Sequence, residues 1–418
     1  MAVNYIWVSF FIIGFAVALL KLVLGGDASI FTTMMNGMFD SAKNGFTISL
    51  GLTGMMALWL GIMKIGERSG LIQVFARLVQ PLFKVIFKDI PDKHPAFGNI
   101  AMNFSANLLG LDNAATPLGL KAMKDMQELN PEKDTATNAQ IMFLVLNAAG
   151  IVLIPTSIIA IRQAVAIEQG VTDFNAANIF LPILMITYIG LVAGICIVAM
   201  YQKINIFKLP VFVFFFGMGG LIWLLWHWLK SMPSETMNNV VGTIGAVVIM
   251  AIVILFLVSG LVKRINVYDA FIEGAKEGFN TAVTIIPYLV AMLVAISVLR
   301  TSGCMDYVVN GIGAVVAAMG FDTRFVAALP VGLMKPLSGS GARGLMVDVM
   351  NTYGVKSLEA YIAAILQGST ETTFYVLAVY FGSVNVKNTR YALVAGLLVD
   401  VVCMVAAIII GYELYYNS

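Results

Sequence analysis

Four short segments set ionisable and hydrogen-bonding side chains in the middle of apolar stretches, and they hold most of the residues with which this chain could do chemistry. The first reads Asn103-Phe104-Ser105-Ala106-Asn107, then Gly110-Leu111-Asp112-Asn113-Ala114-Ala115-Thr116-Pro117. The second reads Lys335-Pro336-Leu337-Ser338-Gly339-Ser340-Gly341-Ala342-Arg343-Gly344, with Asp348 a turn further on. A third holds Asn147-Ala148-Ala149-Gly150 and then Pro155-Thr156-Ser157, and a fourth Gln367-Gly368-Ser369-Thr370-Glu371-Thr372-Thr373. An ionisable group at the centre of a bilayer costs at least ~2.5–3.5 kcal/mol, so such groups face a cavity and mark a pathway.

Each segment suggests its own chemistry. In the first, Gly110 relaxes the backbone and Pro117 suits the first turn of a following half-helix, while Asp112, Asn113 or Thr116 either cap that half-helix or contact a substrate. In the second, small residues leave backbone N–H groups open beside a helix start, which suits a carboxylate or a polar ring edge. Its charges admit a competing reading, mutual neutralisation among Lys335, Arg343, Asp348 and Asp112, although Arg343 and Asp348 are not at the best helical spacing for a local pair. The third and fourth segments are polar beside a glycine in mid-span, which suggests local unwinding that frees oxygens for a substrate or a cation. Interhelical hydrogen bonding accounts for isolated threonines but not for Glu371.

The expected substrate contacts are therefore Asp112, Asn113, Thr116, Asn147, Lys335, Ser338, Ser340, Arg343, Gln367, Ser369, Glu371 and Thr372, with Glu371 and then Asp112 as the groups that carry H⁺ or help hold Na⁺. Catalysis is not expected. The chain has only His94 and His227, no H-E-x-x-H, and a lysine that precedes rather than follows its glycines, so neither a metal site nor a phosphate-binding loop is in view. No glycine stands two residues before Ser338 or Ser340 in the pattern of a nucleophile elbow, which excludes one. No cofactor is expected beyond the coupling ion.

The elements that position these segments follow from composition. Of 418 residues, 60% are apolar and 11% charged, with a mean hydropathy of +0.90, against about 45–50% and about 25% in soluble domains. The excess apolar surface has to face lipid. A disordered tail, a coiled coil, a disulfide-stapled secreted domain and a basic nucleic-acid binder are excluded, and a net charge of +2 points to no polyanionic partner. Cys196, Cys304 and Cys403 are odd in number and far apart, so they read as small packing residues. The first apolar run has no Lys or Arg before it, and its one A-x-A, Ala16-Val17-Ala18, lies inside it, so it is expected to stay as an anchor.

A bilayer core of ~30 Å needs about 20 apolar helical residues. About nine stretches approach that length, near 4–20, 46–63, 138–161, 178–201, 209–229, 239–262, 282–299, 358–384 and 391–412. Two more, 95–120 and 325–349, are apolar at both ends but broken centrally, and are expected as re-entrant hairpins. With the N-terminus in the cytoplasm and both hairpins returning to the side they left, most Lys and Arg fall on the cytoplasmic side, Arg162 and Arg300 among the exceptions on the outer side. That layout is expected of a multi-pass membrane protein with its N-terminus in the cytoplasm. Leu71 to Phe87 and Tyr268 to Asn280 are amphipathic and expected along the interface, and Trp223, Trp226, His227 and Trp228 form an aromatic belt beside Lys230.

The chain also contains itself twice. Ala42-Lys43-Asn44-Gly45-Phe46 matches Ala275-Lys276-Glu277-Gly278-Phe279, and without a gap Ser69-Gly70 falls on Ser302-Gly303. After a short length difference, Gly119-Leu120 falls on Gly344-Leu345. The expected organisation is a membrane repeat over 1–205, a connecting Trp-rich helix over 206–235 and a second repeat over 236–418. The odd number of spans between equivalent points gives the repeats opposite orientation. The fold class is then an all-α integral membrane protein of two inverted-topology repeats, with two re-entrant hairpins and interfacial amphipathic helices.

Asn107 to Met123 resembles the signature of the spore maturation protein A family, and Lys335 to Gly344 with Gly368 to Tyr375 resembles that of spore maturation protein B. The chain looks like a fusion of the two over nearly its whole length, within the nucleoside-recognition or gate domain group, to which concentrative nucleoside transporters and the membrane part of ferrous-iron permeases are similar. The resemblance implies paired hairpins and broken helices holding a substrate at mid-membrane, with an elevator movement. By likeness of position it implies substrate contacts at Asp112, Asn113, Asn147, Ser338, Ser340, Gln367 and Glu371. Lys335 and Arg343 depart from a site for a neutral nucleoside and favour an anionic or zwitterionic solute. The expected function is cation-coupled secondary transport of a small polar organic solute by a lipid-embedded protein that is a candidate homo-oligomer. The alternative is an envelope accessory protein that holds a partner in peptidoglycan or spore maturation and transports nothing.

Overall fold

The computed structural model describes residues 2–91, 94–110, 112–232 and 234–415, with the side chains of 2, 3, 112–114, 230, 234, 235 and 237–239 also outside the description. All regular structure among the described residues is helical. In chain order the helices are α1 (Ala2–Gly25), α2 (Ile30–Arg68), α3 (Leu71–Ile86), α4 (Pro95–Leu108), α5 (Asp112–Glu128), α6 (Asn138–Ala149), α7 (Thr156–Glu168), α8 (Phe180–Gln202), α9 (Leu209–Phe212) and α10 (Gly219–Lys230). The second half continues with α11 (Ser234–Val262), α12 (Val267–Thr301), α13 (Cys304–Ala318), α14 (Leu329–Met334), α15 (Gly339–Tyr353), α16 (Leu358–Ser369), α17 (Thr373–Ser383) and α18 (Ala392–Leu414). A π-helical turn, Val213–Met218, joins α9 to α10, and its Phe215 carbonyl, which accepts from the Gly219 N–H, also accepts from the Tyr188 hydroxyl at 2.5 Å.

Eight helices among the described residues are long and apolar enough to cross a membrane. They cover all the expected spans except 138–161, whose two helices, α6 and α7, are separated by residues 150–155; 358–384 is likewise divided, into α16 and α17, and both breaks fall where local unwinding is expected. A second correction concerns α2 and α12. Both are far longer than the spans expected at 46–63 and 282–299, and Tyr268 to Asn280 is the opening of α12 rather than a separate interfacial helix. At ~1.5 Å per residue, the 39 residues of α2 extend about 58 Å.

The reason lies in how these two helices pack. They run antiparallel in close contact: a Cβ at Gly274 or Gly278 would fall on the carbonyl oxygens of Leu60 or Met56, and one at Gly45 would lie 3.1 Å from Val290 Cγ2. Charges that read as interfacial pair across this seam. Lys64 Nζ lies 3.1 Å from Glu277 and 3.5 Å from Glu273, and Arg68 also pairs with Glu273.

Gly70 and Gly303, matched in sequence, both take left-handed φ (81° and 83°) and open the next helix, while Ser69 and Ser302 close the preceding one by donating to Gly66 and Leu299 carbonyls. Contacts are reciprocal: α6 packs on α8 and α18, and α16 on α18 and α8; α7 touches α15, and α17 touches α5. Helices α4 and α5 fold back on one another, with Asn99 donating to Asp125 and Asn103 to the Ala115 carbonyl. In the second half, α14 and α15 make the equivalent pair around Lys335 to Ser338.

Candidate functional site

The two interrupted helices touch at their breaks. Helix α6 starts with a capping box between Thr137 and Gln140 and stops where Gly150 turns left-handed (φ 57°); Pro155 then precedes α7. Helix α16 stops at Ser369, Thr370 is fully extended, and α17 begins at Thr373. The Glu371 N–H, released from any helix, donates to the Ala148 carbonyl at 2.9 Å. Gly150 is required here twice over, since a Cβ would add left-handed strain and lie 2.9 Å from the Glu371 nitrogen.

Both helical hairpins are tied to this crossing by the same kind of bond. The Leu153 N–H donates to the Leu108 carbonyl at 2.8 Å, and the Phe374 N–H to the Pro336 carbonyl at 3.0 Å. Each hairpin tip therefore hangs on the break of its own half, and the two breaks hang on each other.

Two cavities flank the crossing. The larger, about 310 Å³, is lined by Asn107, Thr116, Asn147, Glu371, Tyr375 and Tyr380 among others. Within it, Asn107 donates to Asn147 Oδ1 at 2.9 Å and the Tyr380 hydroxyl reaches the same oxygen at 3.4 Å, while Asn147 Nδ2 donates back to the Phe143 carbonyl. The smaller, about 150 Å³, is lined by Lys335, Arg343, Gln367, Thr370, Glu371 and Thr372, with Thr156 and Ser157 from the first turn of α7. Gln367 is 5% exposed and reaches the Gly339 carbonyl at 3.4 Å, and its Oε1 is buried with no donor among the described residues. Glu371 lines both cavities.

The sequence-predicted residues divide accordingly. Thr116, Asn147 and Glu371 meet in the larger cavity, and Lys335, Arg343, Gln367, Glu371 and Thr372 in the smaller. Ser338, Ser340 and Ser369 line neither. Ser338 caps α15 by accepting from the Gly341 N–H at 3.0 Å, Ser340 lies 3.2 Å from it, and Ser369 donates to the Leu366 carbonyl. The side chains of Asp112 and Asn113 lie outside the described residues. The partner that holds Asp348 is Arg300, on the last turn of α12, through a two-pronged bond (Nε to Oδ1 2.9 Å).

Sequence reasoning misses three features. Arg162 stands inside α7, 2% exposed, donating to the Ala176 carbonyl (3.0 Å) and Asn178 (2.6 Å) with its guanidinium 4.9 Å from the Phe174 ring. Nothing in its spacing distinguishes it from an outer-side charge. Tyr380, which closes the larger cavity, comes from an ordinary apolar stretch and gives no signal. Asp400 does give one: it is the acidic residue of Val399-Asp400-Val401, deep in the last apolar stretch, and it is buried beside the second break.

Comparison with known proteins places these features. The Gate family, described as nucleoside recognition, matches residues 49–165 and 282–387, blocks that contain both hairpins and both breaks. Spore maturation protein A of Bacillus subtilis (strain 168) is 44% identical over 162 residues, 39% of this chain and 79% of that protein. Spore maturation protein B of the same organism is 41% identical over 180 residues, 43% of this chain and 99% of that protein. Each relative accounts for under half of the chain, as expected of a fusion of the two.

Proposed function

We propose, for a chain that belongs to the Gate (nucleoside recognition) family of membrane proteins, that the crossing of its broken helices is the substrate site of a secondary transporter for a small polar organic solute. One observation carries this reading: Glu371 lines both cavities while its N–H is anchored on the opposite half at Ala148. A group reached from two sides of a crossing is what alternating access needs, because a rocking of one half against the other opens either cavity without dismantling the site.

In this reading the two hairpins are re-entrant and the repeats, 1–205 and 236–418 joined through 206–235, have opposite orientation. The N-terminus lies on the cytoplasmic side of the bacterial inner membrane. Lys335, Arg343 and the open first turn of α7 make the smaller cavity suited to a carboxylate or other anionic group of the solute. Asn107, Thr116, Asn147 and Tyr380 in the larger one suit its neutral polar edges. Glu371 carries the coupling H⁺ or helps to hold Na⁺, and Asp112 of the first hairpin is the second candidate. A non-transporting accessory role is less well supported, because the polar residues line cavities rather than an outer surface.

The test is thermal stability of the detergent-purified protein, with and without Na⁺ and at two pH values, against nucleosides, amino acids, dipeptides and carboxylates. A ligand at about 100 times its Kd adds about 2.7 kcal/mol. A selective, cation-dependent gain that Glu371→Gln abolishes supports the reading. A gain that is unchanged in that variant removes Glu371 from the site.

A further inference from the structure

The last helix brings a second carboxylate to the crossing. Asp400 stands about two turns into α18 and is 6% exposed. Its Oδ2 accepts from the hydroxyl of Thr373, the first residue of α17, at 2.7 Å. Its Oδ1 is buried and has no donor among the described residues. A carboxylate buried in a low-dielectric interior, with the Thr373 and Thr370 hydroxyls beside it, is costlier as an anion than as the neutral acid.

Packing brings the segment that carries the cation of the smaller cavity to the same region. The Pro336 carbonyl accepts from the Phe374 N–H at 3.0 Å, so the residue after Lys335 is bonded to the residue after Thr373. One turn back, a Cβ at Gly332 would lie 3.2 Å from Met404 Cγ, so α14 rests on α18 one turn beyond Asp400. The cation whose charge acts on Asp400 is Lys335, itself 7% exposed and lining the smaller cavity. Three other titratable or charged groups surround the pair. Cys403 lies a turn along α18 and is backed by Gly190 of α8; Glu371 is two residues before Thr373; and Arg343 lines the same cavity as Lys335.

We propose that Asp400 is a proton-accepting group that controls the anion affinity of the substrate site through Lys335. Ionised, it adds a negative charge to the side of the site where Lys335 stands. When a proton joins Oδ1, the net charge of the site rises by one, which favours an anion in the smaller cavity, so proton and anion bind together and each strengthens the other by the same factor. This role is separate from that of Glu371, and it rests on reading the crossing as the substrate site. The proton step itself is testable without any substrate.

The experiment is pH-difference infrared spectroscopy of the purified full-length protein, following the C=O stretch of protonated carboxylic acids. The variants are Asp400→Asn, Glu371→Gln, Lys335→Met and Lys335→Arg. Asparagine keeps the shape of Asp400 and an acceptor for Thr373. The expected result is a titrating component that is lost in Asp400→Asn, kept in Glu371→Gln and Lys335→Arg, and moved by about one pH unit or more to higher pH in Lys335→Met. Lys335→Gln serves where the methionine variant does not fold. A spectrum unchanged by Asp400→Asn, or a titration that neither neutral replacement of Lys335 moves, overturns the proposal. A titrating component beside a flat ligand panel would overturn the substrate reading and leave the proton site standing; a stabilising ligand without the component would overturn the proton site alone.

Discussion

Replacing Gly150 by alanine tests the crossing most directly. The residue ends α6 at φ 57°, where an L side chain is strained by about 1–2 kcal/mol. A Cβ there would also lie 2.9 Å from the Glu371 nitrogen, 3.1 Å from its Cγ and 3.3 Å from the Thr370 carbonyl carbon. Backbone cannot give way as a flexible side-chain end does, so overpacking adds about 1–3 kcal/mol. Gly170 is the internal control. It has φ 69°, and a methyl group added there would have nothing within 4 Å, so Gly170→Ala carries the strain without the collision. Equilibrium unfolding of both variants in mixed detergent should show Gly150→Ala losing about 1–3 kcal/mol more than Gly170→Ala. Equal losses would refute the close approach of the two breaks, and with it the placing of Glu371 between the cavities.

Three further outcomes are expected. Arg300→Met should cost about 3–5 kcal/mol by stranding Asp348, and Asp348→Asn should recover part of that loss in the double variant; a fully additive double variant would show that the two do not interact. Asp322, in the loop after α13, is held at about 2 by the Arg324 guanidinium and N–H, below an unfolded value of about 3.9. Its contribution is therefore complete above the unfolded value and lost as pH falls towards 2, so Asp322→Asn should flatten that part of the acid-stability curve, by only about 0.2–1 kcal/mol because both side chains are over 40% exposed. Arg162→Lys should lower the midpoint of thermal unfolding, because an ammonium cannot both reach Ala176 and Asn178 and stack on Phe174; an unchanged midpoint would count against a structural role for the guanidinium.

The membrane character, the positions of the spans and the broken fourth segment were legible because they rest on hydropathy and on Gly and Pro, which act locally. Gly150 does end a helix, and Thr370 to Thr372 do interrupt one. What was not legible depends on partners distant in the chain. The charged opening of α12 reads as interfacial until Lys64 and Arg68 of α2 are set against Glu273 and Glu277. Asp348 reads as a neighbour of Arg343 until Arg300 reaches it. Ser338 and Ser369 fit both a ligand and a helix end by residue type, and only the fold shows that their hydroxyls bond backbone. Tyr380 is apolar by context and polar by position, a distinction that no periodicity carries.

The division of labour between the halves leads to a last expectation. In the proposed reading the first half supplies Asn107, Thr116 and Asn147 to the larger cavity, with Thr156 and Ser157 to the smaller, whereas the second supplies the charged Lys335, Arg343 and Glu371 together with Tyr380 and Gln367. Neither set is a complete site. Structurally the halves are just as dependent: α6 and α16 each pack against α8 and α18, one from each half, and the Lys387 and Asn388 N–H groups both donate to the Asp134 carbonyl. The connecting helix contributes little to this, since few of its residues are buried. Cutting the chain within 206–235 and co-expressing the pieces should therefore give a complex that co-purifies and keeps most of the thermal stability of the intact chain. Either piece alone exposes the face of α2 or α12 that a glycine seam had covered, together with a half-satisfied break, and should aggregate. A single half that purifies as a monodisperse, cooperatively unfolding protein would refute this mutual dependence and, with it, a site shared between the halves.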